Sequence, residues 1–346
     1  TRVREHGEAV LREGFELRRL AWRRGGDGMF GAGRAIAEIV RLYRAERPDI
    51  IHHVALKPVL FGAVAARLAF SLSGQPIRVA AIAGLGSGLR PGRLLGRVAT
   101  PVLRWGLRAA TRTGRVIVQN PEDGAALIGL GVNPARIALI RGSGVDAAHF
   151  GPMPEPPGPG ITVALVARML RSKGVLDAVT AVRQLRARGL SAELLLAGPT
   201  DPDNADSLDE PELRAFAAEP EIEWLGRVED VREVWRRAAI AVFPSTYGEG
   251  VPKALLEAAA CGRPIIAYDL PGCREVVRPG ETGVLVPPGD VAALADAVAA
   301  LAGDPAARRR MGAAARALVE REFGEAVVAE QTLSLYRAAL AERAGA

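Results

Sequence analysis

Two cations and two carboxylates stand out for their type and spacing. Arg168 and Lys173 lie in the run Arg168 to Gly174, and Glu249 and Glu257 lie in the run Phe243 to Gly262. The first run follows an apolar segment, Ile161 to Ala167, that reads as a strand, and a helical pattern begins after Gly174. Cations at a strand end beside a helix amino terminus make a ready site for phosphate, because guanidinium, ammonium and free amides all present donors there. Solvated loop charges are the alternative reading. In the second run a strand ends at Phe243, a loop carries Glu249 and Gly250, Pro252 stands at the expected first helical position, and Gly262 closes the helix. Between Val251 and Cys261 only Lys253 and Glu257 are charged, so Glu257 sits on an otherwise apolar helix and needs a partner. That partner is either Lys253, in the less favourable Lys-before-Glu order, or the vicinal hydroxyls of a ligand. The E-x7-E spacing puts one carboxylate in the loop and the other two turns into the helix. The pair is suited to gripping two sugar rings that flank a diphosphate at the helix amino end near Gly250 and Val251.

The elements that position these groups alternate between short apolar runs and longer helical patterns, the signature of βαβ units and parallel sheets. Strands are expected at Phe15 to Leu20, Asp49 to Val54, Ile77 to Ile82, Arg115 to Gln119 and Arg136 to Ile140. A second set is expected at Ile161 to Ala167, Ala192 to Ala197, Ile222 to Leu225, Ile240 to Phe243, Pro264 to Ala267 and Gly283 to Val286. Helices are expected at Val291 to Leu301, Ala306 to Glu322 and Ala326 to Arg343. Between the sets, Gly151 to Gly160 holds five prolines in ten residues and reads as a linker. The expected architecture is therefore α/β, with two doubly wound Rossmann-like domains facing across a cleft. Residues 1–150 are expected to form the first domain, 151–160 the linker, 161–325 the second domain, and 326–346 a helix that packs back on the first. The polar opening TRVREHGEAVLREG suggests that the first domain's initial strand and helix precede Thr1.

A length of 346 residues suits two domains, and 49% apolar with 24% charged residues excludes disorder and fibrous repeats. Cys261 and Cys273 lack C-x-x-C spacing, so neither a disulfide framework nor a zinc site is expected, and a reducing cytoplasmic setting fits. Four scattered histidines suggest no metal cluster, and no cofactor is expected. The apolar stretch Val54 to Leu72 is broken by Lys57, Pro58 and Arg67, so no spanning helix is expected.

Charge is distributed unevenly. Residues 1–150 carry 23 Lys+Arg against 11 Asp+Glu, or +12, whereas residues 151–346 carry 22 against 28, or −6. The first half is thus suited to an anionic partner. From Arg90 to Arg115 there are seven arginines and no acid. At helical spacing Arg93, Arg97, Arg104, Arg108 and Arg112 share an arc of about 100°, beside Leu94, Val98, Val102 and Trp105. This basic amphipathic face reads either as solvated or as a contact with an anionic membrane surface. Gly84, Gly86 and Gly88 follow a strand, but no third glycine at the proper spacing and no acid about 20 positions later completes a dinucleotide fingerprint, so a tight turn lining the cleft is preferred. His52 and His53 end a strand at the cleft edge, and only one of them can face a given side.

The segments ARMLRSKG (167–174), the E-x7-E of Glu249 and Glu257, and PGCREVV with GETGVLVPPGD (271–290) resemble the family 4 retaining glycosyltransferases of the GT-B fold. A narrower similarity, carried by DIIHHVALKPVLFGAVAARLA, AAIAGLGSG, VIVQNPEDGAALIGLG, RGSGVDAAHF and GPTDPDN, is to the bacterial subgroup that moves hexoses or acetamido sugars from UDP-sugars onto undecaprenyl-diphosphate-linked acceptors. The resemblance implies Arg168 and Lys173 on the donor diphosphate, Glu249 on the sugar hydroxyls, Glu257 on the ribose, and backbone near Arg227 and Val228 at the base. His53 is the histidine candidate for the donor, since the position two beyond His52, where many members carry one, is Val54. Gly84, Gly86 and Lys57 fall on the acceptor side.

The implied activity is a retaining transfer from a nucleotide-sugar to a lipid-linked or glycan acceptor in cell-surface polysaccharide synthesis, on the inner face of the plasma membrane. The alternatives are a non-catalytic nucleotide-sugar-binding subunit and a sugar-nucleotide epimerase or hydrolase. Nucleic acid is disfavoured because the arginines lack interleaved aromatics. The basic face makes a direct expectation: the protein sediments with anionic liposomes and much less with neutral ones, since each basic residue near such a surface contributes about 1 kcal/mol. Replacing Arg97, Arg104 and Arg108 by glutamate should abolish sedimentation and spare nucleotide binding. Persistent sedimentation would leave the arginines merely solvated.

Overall fold

The computed structural model of the chain describes residues 7–20, 28–70, 75–84, 106–109, 111 and 114–345. Runs rich in Val, Ile, Leu and Ala form two parallel sheets. The first contains β1 (Ile50–Val54), β2 (Ile77–Ile82), β3 (Arg115–Val118) and β4 (Ile137–Leu139), paired in that order. The second contains β5 (Ile161–Val166), β6 (Ala192–Ala197), β7 (Ile222–Gly226), β8 (Ile240–Phe243), β9 (Ile265–Tyr268) and β10 (Gly283–Val286), in the order β10-β9-β8-β5-β6-β7. Its winding reverses where β5 lies beside β8, the kind of switch point at which open α/β sheets take ligands in the crevice beyond the carboxyl ends of their strands.

The helices described are α1 (Gly7–Arg12), α2 (Gly28–Glu46), α3 (Leu56–Ala69), α4 (Pro121–Gly129), α5 (Val175–Ala187), α6 (Glu210–Phe216), α7 (Arg232–Arg237), α8 (Lys253–Ala260), α9 (Pro271–Arg274), α10 (Val291–Gly303), α11 (Pro305–Glu322) and α12 (Glu325–Ala344). Local chemistry sets several of their starts. Asn120, Asp290 and Asp304 accept an amide from the first turn of α4, α10 and α11, and Asp209 with Glu212 forms a capping box on α6. Alternation along β5 sends Val163 and Leu165 to a core with α5 and α10, and Ala164 to a second core with α8 and α11.

The last helix crosses back. Val145 donates to Phe323 O (2.9 Å) and accepts from Glu325 N (3.2 Å), a bridge beyond which α12 leaves the second sheet. Its Val328, Leu335, Tyr336, Ala339 and Leu340 then pack on Ile77, Val79, Ile117 and Ile140 of the first sheet side. Arg115 pairs with Glu342, and Arg343 with Asp49 (2.7 Å), fixing the far end.

Residues 151–160 form no helix or strand, as five prolines require, but arginines hold this stretch and its approach against the second half. Arg316 donates to Ala147 O (2.8 Å), Phe150 O and Ala260 O (2.7 Å). Buried Arg263 donates to Trp235 O (2.9 Å) and Pro154 O (2.8 Å), and Arg308 pairs with Glu155.

One expected strand is absent. Phe15 to Leu20 is irregular, Phe15 is exposed, and Arg18 bonds Glu16 (2.7 Å). Its alternation of apolar and charged residues imitates a half-buried strand, yet among the described residues no strand runs beside it to take its ladder bonds.

Replacing Arg263 by alanine leaves two carbonyls without their donor, so a loss of about 2 to 4 kcal/mol in chemical denaturation is expected. Arg309→Ala, on an exposed face of α11, should stay within about 0.5 kcal/mol.

Candidate functional site

The loops after β5 and β8 carry Arg168, Lys173 and Glu249, and α8 carries Glu257. Arg168 follows the end of β5, and its Nη1 donates to Asp201 Oδ2 (2.5 Å) in the loop after β6. Residues Arg171–Lys173 make one tight 3-10 turn, closed by Gly174 at φ +76°. A side chain at Gly174 would strike the Pro244 carbonyl, 2.0 Å from its Cβ, so the loops after β5 and β8 touch backbone to backbone. Thr246 N and Ser245 Oγ donate to Ser172 O (2.9 and 3.1 Å). Ser172 N donates to Asp206 (3.0 Å), and Arg171 pairs with Glu212.

That scaffold delivers Lys173 to the crevice, where its Nζ pairs with Glu249 and lies 5.6 Å and 5.9 Å from the ring centres of Phe243 and Tyr247. The Glu249–Gly250 backbone is confined on two sides. Gly84, at φ +89° after β2, approaches it so closely that a Cβ would fall 2.5 Å from Gly250 N, and a Cβ at Gly272 would fall 1.5 Å from Gly250 O. Gln119, at the end of β3, accepts the Val251 amide (2.9 Å). Two expectations change here. Pro252 is the N-cap of α8 and Lys253 its first residue, and the Val251 amide expected for a diphosphate is held by Gln119.

Glu257, on α8, is half-buried, and no hydrogen bond or ion pair reaches its carboxylate among the described residues. Lys253 is exposed and acts on it only through space, so the internal Lys253 pair does not form. Burial raises the Glu257 carboxyl to about 7, with Lys253 opposing. Behind Glu249, burial pushes the Cys273 thiol up to about 12.

Other expected site residues distribute differently. His53 is turned into the helix layer, bonding Tyr43 Oη (2.6 Å) and packing on Gly62, where a Cβ would lie 1.8 Å from its Nε2. Strand alternation is the cause, and it gives the opposite face to His52, whose Nδ1 lies 2.5 Å from Tyr336 Oη of α12. Burial, together with His52 and Arg78, lowers His53 to about 4. Lys57 is exposed in the first turn of α3, Arg227 is exposed after β7, and Val228 packs against the second core. Arg108 is exposed and lies against Gly131. Gly86, Gly88, Arg90, Arg93, Arg97, Arg104 and Arg112 lie outside the described residues. Among the described residues no group of His, Cys, Asp or Glu is arranged to hold a metal ion, and no helix is long and apolar enough to cross a membrane.

Sequence reasoning missed Asp201, Gln119 and Gly272. Each acts across a gap that only strand order closes: the β5–β6 pairing sets Asp201 beside Arg168, and the facing of the two sheets sets Gln119 at Val251.

The Glu257 shift carries a sign. The folded carboxyl keeps its proton to about 7, against 4.5 when unperturbed, so ligand-free protein loses stability as pH rises from about 4.5 to about 7 and is level above. Thermal melts across this window should show the decline, and Glu257→Gln should flatten it. An unchanged profile in the variant would mean that Glu257 is not the group responsible.

Two family models match the chain: "Glycosyl transferase 4-like domain" over residues 2–142 and "Glycosyl transferases group 1" over residues 160–304. The glycogen synthase of Mycobacterium tuberculosis is 31% identical over 337 residues, 96% of this chain and 74% of that protein. An exopolysaccharide phosphotransferase of Streptomyces coelicolor is 31% identical over 73% of this chain, which spans only 26% of that protein. Among solved structures, the sucrose-phosphate synthase of Thermosynechococcus elongatus superimposes with a TM-score of 0.79 at 25% identity, covering 93% of this chain and 81% of that one. HepE of Anabaena, in complex with UDP and glucose, superimposes with a TM-score of 0.78 at 19% identity, covering 96% and 89%, and supports the fold alone. With two parallel sheets facing across the crevice and both family models in sequence order, the chain belongs to the group 1 glycosyltransferases of the GT-B fold.

Proposed function

We propose that the chain transfers a hexose or acetamido sugar from a nucleotide-sugar, a UDP-sugar in the first instance, to a lipid-linked or glycan acceptor with retention of anomeric configuration. The observation that carries this reading is the pairing of Lys173 with Glu249 between the loops after β5 and β8, with Arg168 at the end of β5 and Glu257, which no described side chain bonds, on the helix that follows. In this reading residues 161–325 hold the donor and residues 1–150 the acceptor, with Gly84 and Lys57 on the acceptor side. The basic first half rests on an anionic membrane surface.

Departure of the nucleoside diphosphate builds negative charge on its terminal phosphate. Arg168 and Lys173 meet that charge with two fixed cations, stabilising the transition state more than the ground state. Lys173 exchanges part of its pairing with Glu249 for the phosphate, which frees Glu249 to accept from sugar hydroxyls. Glu257 accepts from the ribose hydroxyls, and because those bonds favour the ionised carboxylate, donor binding near pH 6.5 releases a proton. Backbone after β7, at Arg227 and Val228, meets the base.

The deciding experiment offers a panel of UDP- and GDP-sugars with and without a polyprenyl-diphosphate-sugar acceptor and follows nucleotide release. Release that depends on acceptor is expected, with the anomeric configuration of the donor kept in the product and no loss in EDTA. Glu249→Ala and Lys173→Ala should each lower turnover at least about 100-fold, a scale typical of transition-state donors. An inverted product would remove the retaining assignment, and release without acceptor would indicate hydrolysis.

A further inference from the structure

Arg168 and Lys173 are held in different ways. Lys173 pairs with Glu249, a residue of the crevice itself. Arg168 pairs with Asp201, whose side chain is 3% exposed, while the Arg168 side chain is 42% exposed. The buried carboxylate thus holds the guanidinium at Nη1, while much of the Arg168 side chain stays open to solvent. Asp201 is itself fixed. Its amide donates to Ser207 Oγ (2.9 Å), and that hydroxyl lies 2.9 Å from Leu208 O and 3.4 Å from Met169 O, the residue next to Arg168. The same loop binds the strand end through Met169 N to Pro199 O (3.0 Å) and Leu208 N to Met169 O (2.9 Å).

We infer that Asp201, supported by Ser207, is a positioning residue that orients the Arg168 guanidinium toward the anionic group of the donor. An arginine on a flexible stem loses rotamer freedom when it binds, and a fork already fixed by a buried carboxylate has lost most of it beforehand. A neutral amide cannot substitute, because the charge-assisted bond is what holds the planar group against solvent. The inference rests on the donor-site reading given above for its effect on binding, but not for its effect on Arg168.

Two measurements separate these. Side-chain nitrogen NMR of the full chain, with Arg168 assigned by its absence in Arg168→Lys, reports rotation about the guanidinium. Slow rotation is expected in the wild type and fast rotation in Asp201→Asn. Equally fast rotation in the wild type, a measurement that needs no variant to fold, overturns the inference. The second measurement is UDP affinity by calorimetry in the wild type, Asp201→Asn, Arg168→Lys and the double variant. Asp201→Asn should weaken binding on the order of tenfold, the scale of a charge-assisted hydrogen bond, and Asp201→Glu should recover part of it. The double variant should be no weaker than Arg168→Lys alone, and additive losses would overturn the inference. A wild type with slow Arg168 rotation that binds neither UDP nor GDP would sink the donor-site reading while leaving the orienting role of Asp201 standing.

Discussion

Backbone packs against backbone around Gly250, with no room for a side chain on either side. Gly84 closes on it from the first half and Gly272 from the second, each nearer than a Cβ allows. Because the peptide at Gly250 is pinned, Glu249 and Val251 on either side of it are pinned as well, and with them the partner of Lys173 and the amide held by Gln119. Alanine at Gly272 would force the loop away from its neighbour, so the geometry of the whole crevice depends on three residues that carry no chemistry of their own.

The electrostatic design follows from that pinning. Four charged groups compensate one another in two pairs: Lys173 with Glu249, and Arg168 with Asp201. Glu257 stands outside this compensation, and the cost of its isolation is visible in the rise of its carboxyl to about 7. An uncompensated carboxyl in an apolar helix is the kind of local inconsistency that a packed core excludes and a binding site retains.

The alternation of strands and helices, the linker and the crevice cations were legible because each is a short-range pattern. Arg168, Lys173 and Glu249 stand in loops that follow strands, and of the three Lys173 and Glu249 pair with each other. The failures have one cause, the lack of partners in a one-dimensional reading. Phe15 to Leu20 has the alternation of a strand, but a strand exists only beside another. His52 and His53 share an edge strand, and nothing local says which face meets α2 and which meets α12. Asp201 lies in GPTDPDN, noticed only as a likeness, and its meaning came from β6 lying beside β5.

The return of α12 bears on how the chain is made. One side of the first sheet, at Ile77, Val79 and Ile117, is covered by a helix encoded after the entire second half. During synthesis the early half emerges with that flank bare and stays so while the later sheet is built, a period in which exposed apolar surface invites wrong contacts or chaperones. Nascent chains therefore cannot complete the halves one after the other: the second must be assembled before the first is closed, and damage to α12 is felt as a lesion in the opposite half.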